Sequence, residues 1–191
     1  MTKLLAKAQI LILIGCVLAL SQGAMADRER GVYIGGALGQ ADIGVDNFLG
    51  GKIPVKTAEL FTGYKYNNWL GLEVRMGASL RDETYALDST SPTGRIELAS
   101  LWINQYRSIY YRPEITNDIA KIYGLIGMTL AQTTSTIKDV DYHASAEGNS
   151  YGIGAGLILN EKTYFNLEYR ILIETEIDTF SIIGFNVDYR F

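Results

Sequence analysis

The residues best suited to covalent chemistry lie together in the segment His143-Ala144-Ser145, with Glu147 two positions further on. An imidazole next to a serine can accept the hydroxyl proton, and a carboxylate can orient the imidazole, which is the constellation an acyl hydrolase needs. We expect the segment to lie in a polar loop, where a solvated surface histidine is the commoner meaning of so short a motif. The sequence therefore favours a protein without catalytic residues. If the protein is instead an acyl hydrolase, His143, Ser145 and Glu147 are the candidate catalytic residues.

Thiol and metal chemistry have less support. Cys16 is the only cysteine, and it falls in an N-terminal segment that we expect to be removed. No connection has the ordered ligand spacing of a calcium loop. We therefore predict no cofactor and no metal site.

The first 26 residues have the composition of an export signal. Lys3 and Lys7 precede an apolar run over residues 8–20, and Ala24-Met25-Ala26 is a small-x-small cleavage site. We predict a cleaved signal peptide at residues 1–26 and a mature domain at residues 27–191.

Two alternatives concern the same N-terminal segment. Retention as an anchor is disfavoured because the apolar run is about 13 residues and a spanning helix needs roughly 20. A lipoprotein lipidated at Cys16 ranks second, because apolar residues follow Cys16 where a polar tether is usual.

The charge balance disfavours nucleic acid as a partner. The formal net charge is −4, and loss of Lys3 and Lys7 makes the mature chain more acidic still. A nucleic-acid binder needs a basic face that neutralises phosphates.

Apolar residues alternate with polar or small ones along most of the mature chain, which indicates β-strands. The clearest case is residues 69–80, where Leu72 and Val74 face one way and Glu73 and Arg75 the other. Further strands are predicted at residues 32–40, 56–66, 96–112, 119–131, 150–159, 163–174 and 184–191. Within 96–112 the register is ambiguous, and the version with Gln105 and Arg107 inside turns Trp102, Tyr106 and Tyr110 outward.

Eight strands with alternating short and long connections predict an all-β fold, an eight-stranded antiparallel up-and-down transmembrane β-barrel. Short connections are expected at 67–68, 112–118 and 160–162, and longer ones at 41–55, 81–95 and 132–149, with a fourth at 175–179. A soluble barrel or sandwich also alternates and is the competing interpretation.

The polar face of the strands carries charges of both signs, which suits a closed interior in which ions pair. We expect Glu59 and Lys65 to lie beside Glu73 and Arg75, and Glu168 and Arg170 beside Asp188 and Arg190. The predicted lumen charge network is Glu59, Lys65, Glu73, Arg75, Glu168, Arg170, Asp188 and Arg190.

Aromatic residues concentrate at strand ends beside the short connections, as expected of a girdle at a lipid–water boundary. The predicted girdle and closing strand comprise Tyr64, Tyr66, Trp69, Tyr110, Phe165, Tyr189 and Phe191. Four more tyrosines are expected at the same rim: Tyr33, Tyr111, Tyr123 and Tyr164.

The ending Phe185-Asn186-Val187-Asp188-Tyr189-Arg190-Phe191 resembles the C-terminal sorting strand of outer-membrane barrels, which the assembly machinery reads. With Tyr33 to Gly39, Gly71-Leu72-Glu73, Ile122-Tyr123-Gly124 and Leu167-Glu168-Tyr169, the chain resembles a superfamily of small barrels. That superfamily includes the outer-membrane protein A transmembrane domain and the outer-membrane protein X and attachment-invasion proteins. The resemblance implies a Gram-negative outer membrane, termini in the periplasm and four loops at the cell surface.

The resemblance leaves several functions open, because related barrels serve as structural proteins, adhesins, complement-resistance factors and enzymes. We predict a structural or adhesin-like surface role and no enzyme. The His-x-Ser pair also resembles that of lipid A deacylase barrels, but that family carries it on a strand near the outer rim, followed by Asn. A deacylase-type hydrolase is therefore the first alternative.

A narrow pore of low conductance is the second alternative. Eight strands enclose an interior that side chains can fill. We expect Arg75, Arg107, Lys121, Glu168 and Arg170 to fill it, with inward glycines leaving narrow water-filled gaps.

The expected partners are outer-membrane lipid and lipopolysaccharide, the barrel-assembly machinery through the last strand, and a host or surface ligand through the loops. The chain is expected to be a monomer. Because the long connections are acidic, lipopolysaccharide phosphates would be reached through divalent cations.

Overall fold

A computed structural model describes residues 30–44, 52–67, 69–87, 97–174 and 179–191. The predicted signal peptide, residues 1–26, lies outside these ranges. The described chain forms ten antiparallel strands: β1 (Gly31–Gly44), β2 (Lys52–Lys65), β3 (Gly71–Ser79), β4 (Glu83–Leu87), β5 (Glu97–Tyr111), β6 (Glu114–Thr116), β7 (Ala120–Ile137), β8 (Val140–Ile158), β9 (Thr163–Glu174) and β10 (Thr179–Arg190). No helix in these ranges is long and apolar enough to cross a membrane.

The ten segments close into a barrel with eight strands around its circumference. Each long strand pairs with the next along the chain, β1 pairs with β10, and β5 pairs with β7 across the short β6. The two short strands continue the course of their predecessors. β4 pairs with β5 beyond the end of β3, and β6 pairs with β7 beyond the end of β5. The predicted eight-stranded up-and-down barrel is confirmed. Two of its eight strands are interrupted, one between β3 and β4 and the other between β5 and β6.

The first described residue, Arg30, the last residue, Phe191, and three short turns lie at the same end of the barrel, which we call the terminal end. Each turn is built in the same way around an asparagine side chain. The Oδ1 atom of Asn67 accepts hydrogen bonds from the N–H groups of Trp69 and Leu70, both at 2.8 Å. Asn117 and Asn160 repeat this arrangement in the other two turns. Such Asx turns satisfy backbone donors that a tight reversal leaves unpaired.

The opposite end, which we call the distal end, carries a long hairpin where a loop was predicted. β7 and β8 continue to Ile137 and Val140 and are joined by Lys138 and Asp139 alone. Both turn residues have positive φ, 52° and 63°, as a two-residue type I′ turn requires. The predicted loop over 132–149 is therefore wrong. The polar composition of this segment is typical of a loop, but its residues form a continuous antiparallel pairing between β7 and β8.

The other distal connections are partly strand as well. β1 and β2 extend into the predicted loop at 41–55, and β4 lies within the one predicted at 81–95. Residues 45–51 and 88–95 of these two predicted loops, and residues 175–178 of the connection predicted at 175–179, lie outside the described ranges.

The apolar face of the strands points outward over the half of the barrel nearest the terminal end. Leu72 is 57% exposed, whereas its neighbour Glu73 is fully buried inside. The outward face forms a lateral apolar band: Ile34, Leu38, Leu60, Leu72, Val74, Met76, Ile109, Ile122, Ile126, Met128, Ile153, Leu157, Leu167, Ile183, Phe185 and Val187. A water-soluble barrel has the reverse arrangement, so this face is suited to contact lipid.

The polarity of both faces inverts toward the distal end. There the outward side chains are polar, as with Lys56, Gln132 and Ser145. The inward side chains form an apolar plug: Ala41, Ile53, Val55, Tyr85, Ala99, Leu101, Ile103, Tyr106, Ala131, Leu172, Ile173, Phe180 and Ile182. Each wall therefore leaves the lipid where its outward side chains change from apolar to polar, and beyond that level the barrel has the core of a water-soluble protein.

Candidate functional site

Ionised side chains fill the half of the interior nearest the terminal end. The described interior holds an interior charge network of five acids and six bases: Glu59, Glu73, Glu114, Glu168, Asp188, Lys65, Arg75, Arg112, Lys121, Arg170 and Arg190. All eight residues predicted for this network lie within it. Enclosed charges are tolerable when they are paired, and each charged side chain of the network has an oppositely charged partner.

Arg75 on β3 lies at the centre of the network. Its guanidinium donates two parallel hydrogen bonds to Glu168 on β9, with Nη1–Oε1 at 2.8 Å and Nη2–Oε2 at 2.7 Å. It also pairs with Glu73 and, at 3.5 Å, with Glu59. Its charge lies 4.6 Å from the centroid of the Phe61 ring. A planar guanidinium is suited to such a site because its fixed fork can engage several carboxylates at once.

The predicted neighbours Glu59 and Glu73 do contact Arg75, but other pairs run across the interior and not between the neighbouring positions that were predicted. Glu59 pairs with Arg170 on β9, and Asp188 on β10 accepts Lys121 Nζ at 2.6 and 2.9 Å. Lys65 contacts Glu114 at 3.1 Å. Ion pairs of this kind connect opposite walls and hold the barrel cross-section.

Arg112 and Glu114 belong to the network although the sequence placed them in a short connection. Arg112 pairs with Glu73 and Glu114, and Glu114 also accepts from Lys65 and Arg190. The available signal was the period-two spacing of residues 112, 114 and 116, which continues across Pro113 into β6.

The inward glycines Gly63 and Gly154 do not leave the water-filled gaps that were expected, because aromatic rings occupy the space above them, whereas Gly39 lines a small cavity of about 10 Å³. A Cβ atom on Gly63 would lie 2.3 Å from the Tyr33 ring, and one on Gly154 would lie 2.2 Å from the Tyr123 ring. The hydroxyl groups of these two rings donate to network carboxylates, Tyr33 to Glu73 at 2.9 Å and Tyr123 to Glu168 at 2.7 Å. Glycine thus makes room for a ring to cross the interior.

The register of β5 is the opposite of the predicted one over its second half. An irregularity between Ile103 and Gln105 shifts the alternation, so that Tyr106 and Tyr110 point inward and Arg107 is exposed. Tyr106 lies over Gly77, and the hydroxyls of Tyr110 and Ser150 are 2.7 Å apart. Large rings fit inside here because the facing positions are small.

The aromatic residues of the terminal end divide between the two faces. Tyr33, Tyr110, Tyr123 and Tyr164 are buried in the interior, so the predicted rim position is wrong for these four. The exposed aromatic residues on the outer surface of this end are Tyr64, Tyr66, Trp69, Tyr111, Phe165 and Tyr189. Phe191 is partly exposed and contacts Tyr189 edge to face at 5.3 Å.

His143, Ser145 and Glu147 lie on β8, on its outer face beyond the apolar band, and not in a loop. The Nδ1 atom of His143 is 2.8 Å from the hydroxyl of Thr134, which also contacts Asn104 at 2.9 Å. A cleft of about 280 Å³ is lined by Asn104, Gln132, Thr133, His143, Ala144 and Ser145. Alternate residues of a strand are about 6.6 Å apart, so the three candidates share a face without the mutual contacts of a triad.

Within the described ranges, no group of three or more histidine, aspartate or glutamate side chains is arranged to hold a metal ion.

Comparison with known proteins agrees with this geometry. A family described as "Outer membrane protein beta-barrel domain" matches residues 12–191. A search of curated protein sequences finds no match.

Several solved structures are similar in fold. The attachment invasion locus protein Ail of Yersinia pestis, solved with the heparin analogue sucrose octasulfate, is 16% identical, with a TM-score of 0.60 over 85% of this chain and 99% of that one. The N-terminal β-barrel domain of Pseudomonas aeruginosa OprF is 11% identical, with a TM-score of 0.58 over 85% and 99%. Neisserial surface protein A is 12% identical, with a TM-score of 0.55 over 84% and 97%.

Proposed function

Since the chain belongs to the outer-membrane β-barrel domain family and lies in the bacterial outer membrane, we propose that it is a sealed barrel that presents its distal strands at the cell surface for interaction. With the termini in the periplasm, as in the barrels that the chain resembles, the distal end faces outward. There the strands continue past the apolar band, and their outward side chains are polar.

The observation that carries this proposal is the apolar plug in series with the interior charge network. A solute crossing the barrel would first meet ion pairs that fill the cross-section and then a dry cluster around Ile103 and Leu172, both fully buried. Hydrophobic constrictions oppose ion passage because they do not hold water. The described interior also offers little free volume, with a cavity of about 10 Å³ beside Glu59 and Arg170.

Planar-bilayer recordings test the sealed interior. We expect no steady single-channel current from the purified protein. The double variant Ile103→Ser, Leu172→Ser would hydrate the plug, and we expect it to show brief, small openings. Large and steady currents from the unmodified protein would refute the sealed barrel and support the narrow pore.

The surface role is tested separately by binding. Cells that produce the protein are compared with cells that lack it for adhesion to host cells or matrix proteins. The matched control is a barrel in which the hairpin is shortened by joining Ala131 to Ala146 through a two-residue turn. Loss of adhesion in this control supports the role, and unchanged adhesion with and without the protein contradicts it.

The partners that we propose follow from the same surfaces. The apolar band contacts outer-membrane lipid, and lipopolysaccharide lies against the polar surface just beyond it. The last strand engages the barrel-assembly machinery, and the closed barrel is a monomer. Ail binds a heparin analogue, but we do not propose a polyanion for this chain because Asp141 and Glu147 make the outer face of β8 acidic.

A lipid A acyl hydrolase is the second candidate, and one observation favours it. His143 and Ser145 lie on a strand wall beside a cleft just past the apolar band, where lipid headgroups would be within reach. Against it, Nδ1 of His143 contacts a threonine hydroxyl where a triad has a carboxylate. Mass spectrometry of lipid A decides: loss of an acyl chain that depends on the protein and disappears in Ser145→Ala would establish the hydrolase.

A further inference from the structure

The cleft on the outer surface of β5, β7 and β8, here called the outer cleft, is polar without being strongly charged. It has a volume of about 280 Å³, and the described residues that line it include no carboxylate, lysine or arginine. Asn104 comes from β5, Gln132 from β7, and His143 and Ser145 from β8. Ligand clefts in proteins run from roughly 300 to 1,000 Å³, so the outer cleft suits a single small ring.

The strand register brings the polar side chains of the outer cleft to one face. Gln132 on β7 lies directly opposite Gln105 on β5 and Ser145 on β8. The next outward residue of β7, Thr134, lies opposite His143. Directly opposite residues of antiparallel strands have Cβ atoms about 4.5–5.5 Å apart on the same face. The outer cleft is therefore built on three hydrogen-bonded strands, which hold its groups in fixed positions.

Hydrogen bonds within the wall orient these groups. The Oε1 atom of Gln132 accepts from Gln105 Nε2 at 2.7 Å, and the Nδ1 atom of His143 lies 2.8 Å from the hydroxyl of Thr134. The amide nitrogen of Gln132 and the Nε2 atom of His143 lie on the opposite sides of their groups. Within the described part of the chain, these two atoms and the hydroxyl of Ser145 have no hydrogen-bond partner.

An indole ring lies beside the outer cleft. Trp102 on β5 is half-buried and lies directly opposite Thr134, so that Trp102, Thr134 and His143 form a row across three strands. A tryptophan ring offers a large apolar face at a wet surface. A sugar ring has the complementary chemistry, because it carries an apolar C–H face and hydroxyl groups that each donate and accept hydrogen bonds.

The charges around the outer cleft disfavour an anionic ligand. Asp141 and Glu147 flank His143 and Ser145 along the outer face of β8. Arg107 on β5 is a nearby base, and its guanidinium donates to Gln105 at 3.0 Å. A phosphate, sulfate or carboxylate in the outer cleft would meet the field of two acids and one base, whereas an uncharged ligand is not repelled.

We propose that the outer cleft binds a neutral sugar ring of a glycan, with Gln132, His143 and Ser145 bonding its hydroxyl groups and Trp102 covering its apolar face. The inference deepens the proposed surface-interaction function and rests on it. Neutral sugars occur in the lipopolysaccharide of the same membrane and in glycans of other cells. The two sources share the chemistry that the outer cleft recognises, and the experiment below separates them.

Titration with free sugars, followed by NMR of the full chain in phosphatidylcholine nanodiscs, tests this proposal. The probes are glucose, galactose, mannose and N-acetylglucosamine, and glucuronic acid is the anionic control. At least one neutral sugar should produce saturable shifts of the side-chain amide of Gln132 and the indole N–H of Trp102. The side-chain amide of Asn117, in a turn at the terminal end, should not shift. Glucuronic acid should bind more weakly than the neutral sugar by about tenfold.

Matched variants separate the outer cleft from the rest of the surface. Gln132→Leu removes an unpaired donor and should weaken binding of the sugar by about tenfold. Gln40→Leu makes the same change on β1, where Gln40 donates to Asp42, and should bind as the parent does. The double variant Asp141→Asn, Glu147→Gln should bind glucuronic acid as well as it binds the neutral sugar. A gel that compares unheated and boiled samples verifies that each variant is folded.

The outcomes distinguish this inference from the broader proposal. The absence of a saturable shift with every neutral sugar, or equal binding by Gln132→Leu and Gln40→Leu, would overturn the sugar site, while the adhesion assay still decides the surface role. Equal or tighter binding of glucuronic acid to the parent would overturn the charge selection. The titration is repeated in nanodiscs that contain lipopolysaccharide. Weaker binding of the free sugar there would assign the site to lipopolysaccharide, and unchanged binding would assign it to a glycan of another cell.

Discussion

Arg75 on β3 and Glu168 on β9 face each other across the barrel and share two parallel hydrogen bonds, at 2.8 and 2.7 Å, in the middle of the interior charge network. Both side chains are buried, and Arg75 also contacts Glu59 and Glu73. A single guanidinium therefore pairs with three buried carboxylates, and Arg112 and Arg170 supply further positive charge to them.

Removal of Arg75 should destabilise the barrel strongly. Arg75→Met leaves uncompensated buried charge, and we expect the free energy of unfolding to fall by about 3–5 kcal/mol. Reversible urea unfolding in lipid vesicles measures this. The control is Arg81→Met, which breaks an exposed pair with Glu83 and should cost about 1 kcal/mol or less. Equal effects of the two variants would show that the network does not hold the walls together.

The space above inward glycines should not tolerate a methyl group. Gly154→Ala places a Cβ atom against the Tyr123 ring, and the resulting overpacking should cost about 1–3 kcal/mol. Gly36→Ala is the matched control, because its Cβ meets its nearest neighbour at an ordinary 3.6 Å. The same unfolding assay compares them. If Gly154→Ala is as stable as the parent, the ring does not fill that space.

Trp69 should lie at the lipid–water boundary of the terminal end. It is 65% exposed, and its carbonyl accepts a hydrogen bond from the Tyr111 hydroxyl. In the variant Trp102→Phe, Trp69 is the remaining tryptophan. A quencher attached near the lipid headgroup should reduce its fluorescence more than one at the acyl-chain end. Stronger quenching from the deep position would contradict the girdle assignment.

Phe191 should affect assembly in the cell more than stability. Its N–H donates to Val32 across the barrel seam at 3.1 Å, and its ring meets Tyr189. If the assembly machinery reads this residue, Phe191→Ser should lower the folded protein in the outer membrane severalfold and leave refolding into detergent unchanged. Phe165→Ser alters another aromatic residue of the same rim, and it should affect both measurements in proportion. Proportional losses for Phe191→Ser would argue against a sorting role.

The strands and their facing could be predicted wherever alternation is regular. β3 and β9 each keep one polar and one apolar face over the lipid-facing region, so the sequence alone predicts an inward position for Glu73, Arg75, Glu168 and Arg170. Their partners on the opposite wall of the barrel were not predictable. Pairing across a barrel depends on how far the strands are staggered around it, and a single strand carries no record of that.

The failures have two physical causes. In β5, an irregularity after Ile103 reverses the alternation of inward and outward side chains. Because tyrosine occurs on either face of a barrel strand, the residue type of Tyr110 did not indicate its inward position. In β7 and β8, the outward face becomes polar once it leaves lipid, and residues 132–149 therefore look like a loop. Two central turn residues with positive φ, Lys138 and Asp139, are not the Asn-Gly pair that normally signals such a hairpin.

Along each strand, the outward and inward side chains exchange polarity toward the distal end, and this affects how the chain avoids misassembly. If one strand slid by a single residue against its neighbour, its greasy and charged side chains would exchange sides at both levels simultaneously. Ions would enter the acyl layer at one end, while oily groups would enter water at the other. The shifted register is therefore unfavourable both in the membrane and in water, so the two environments together select the correct strand alignment.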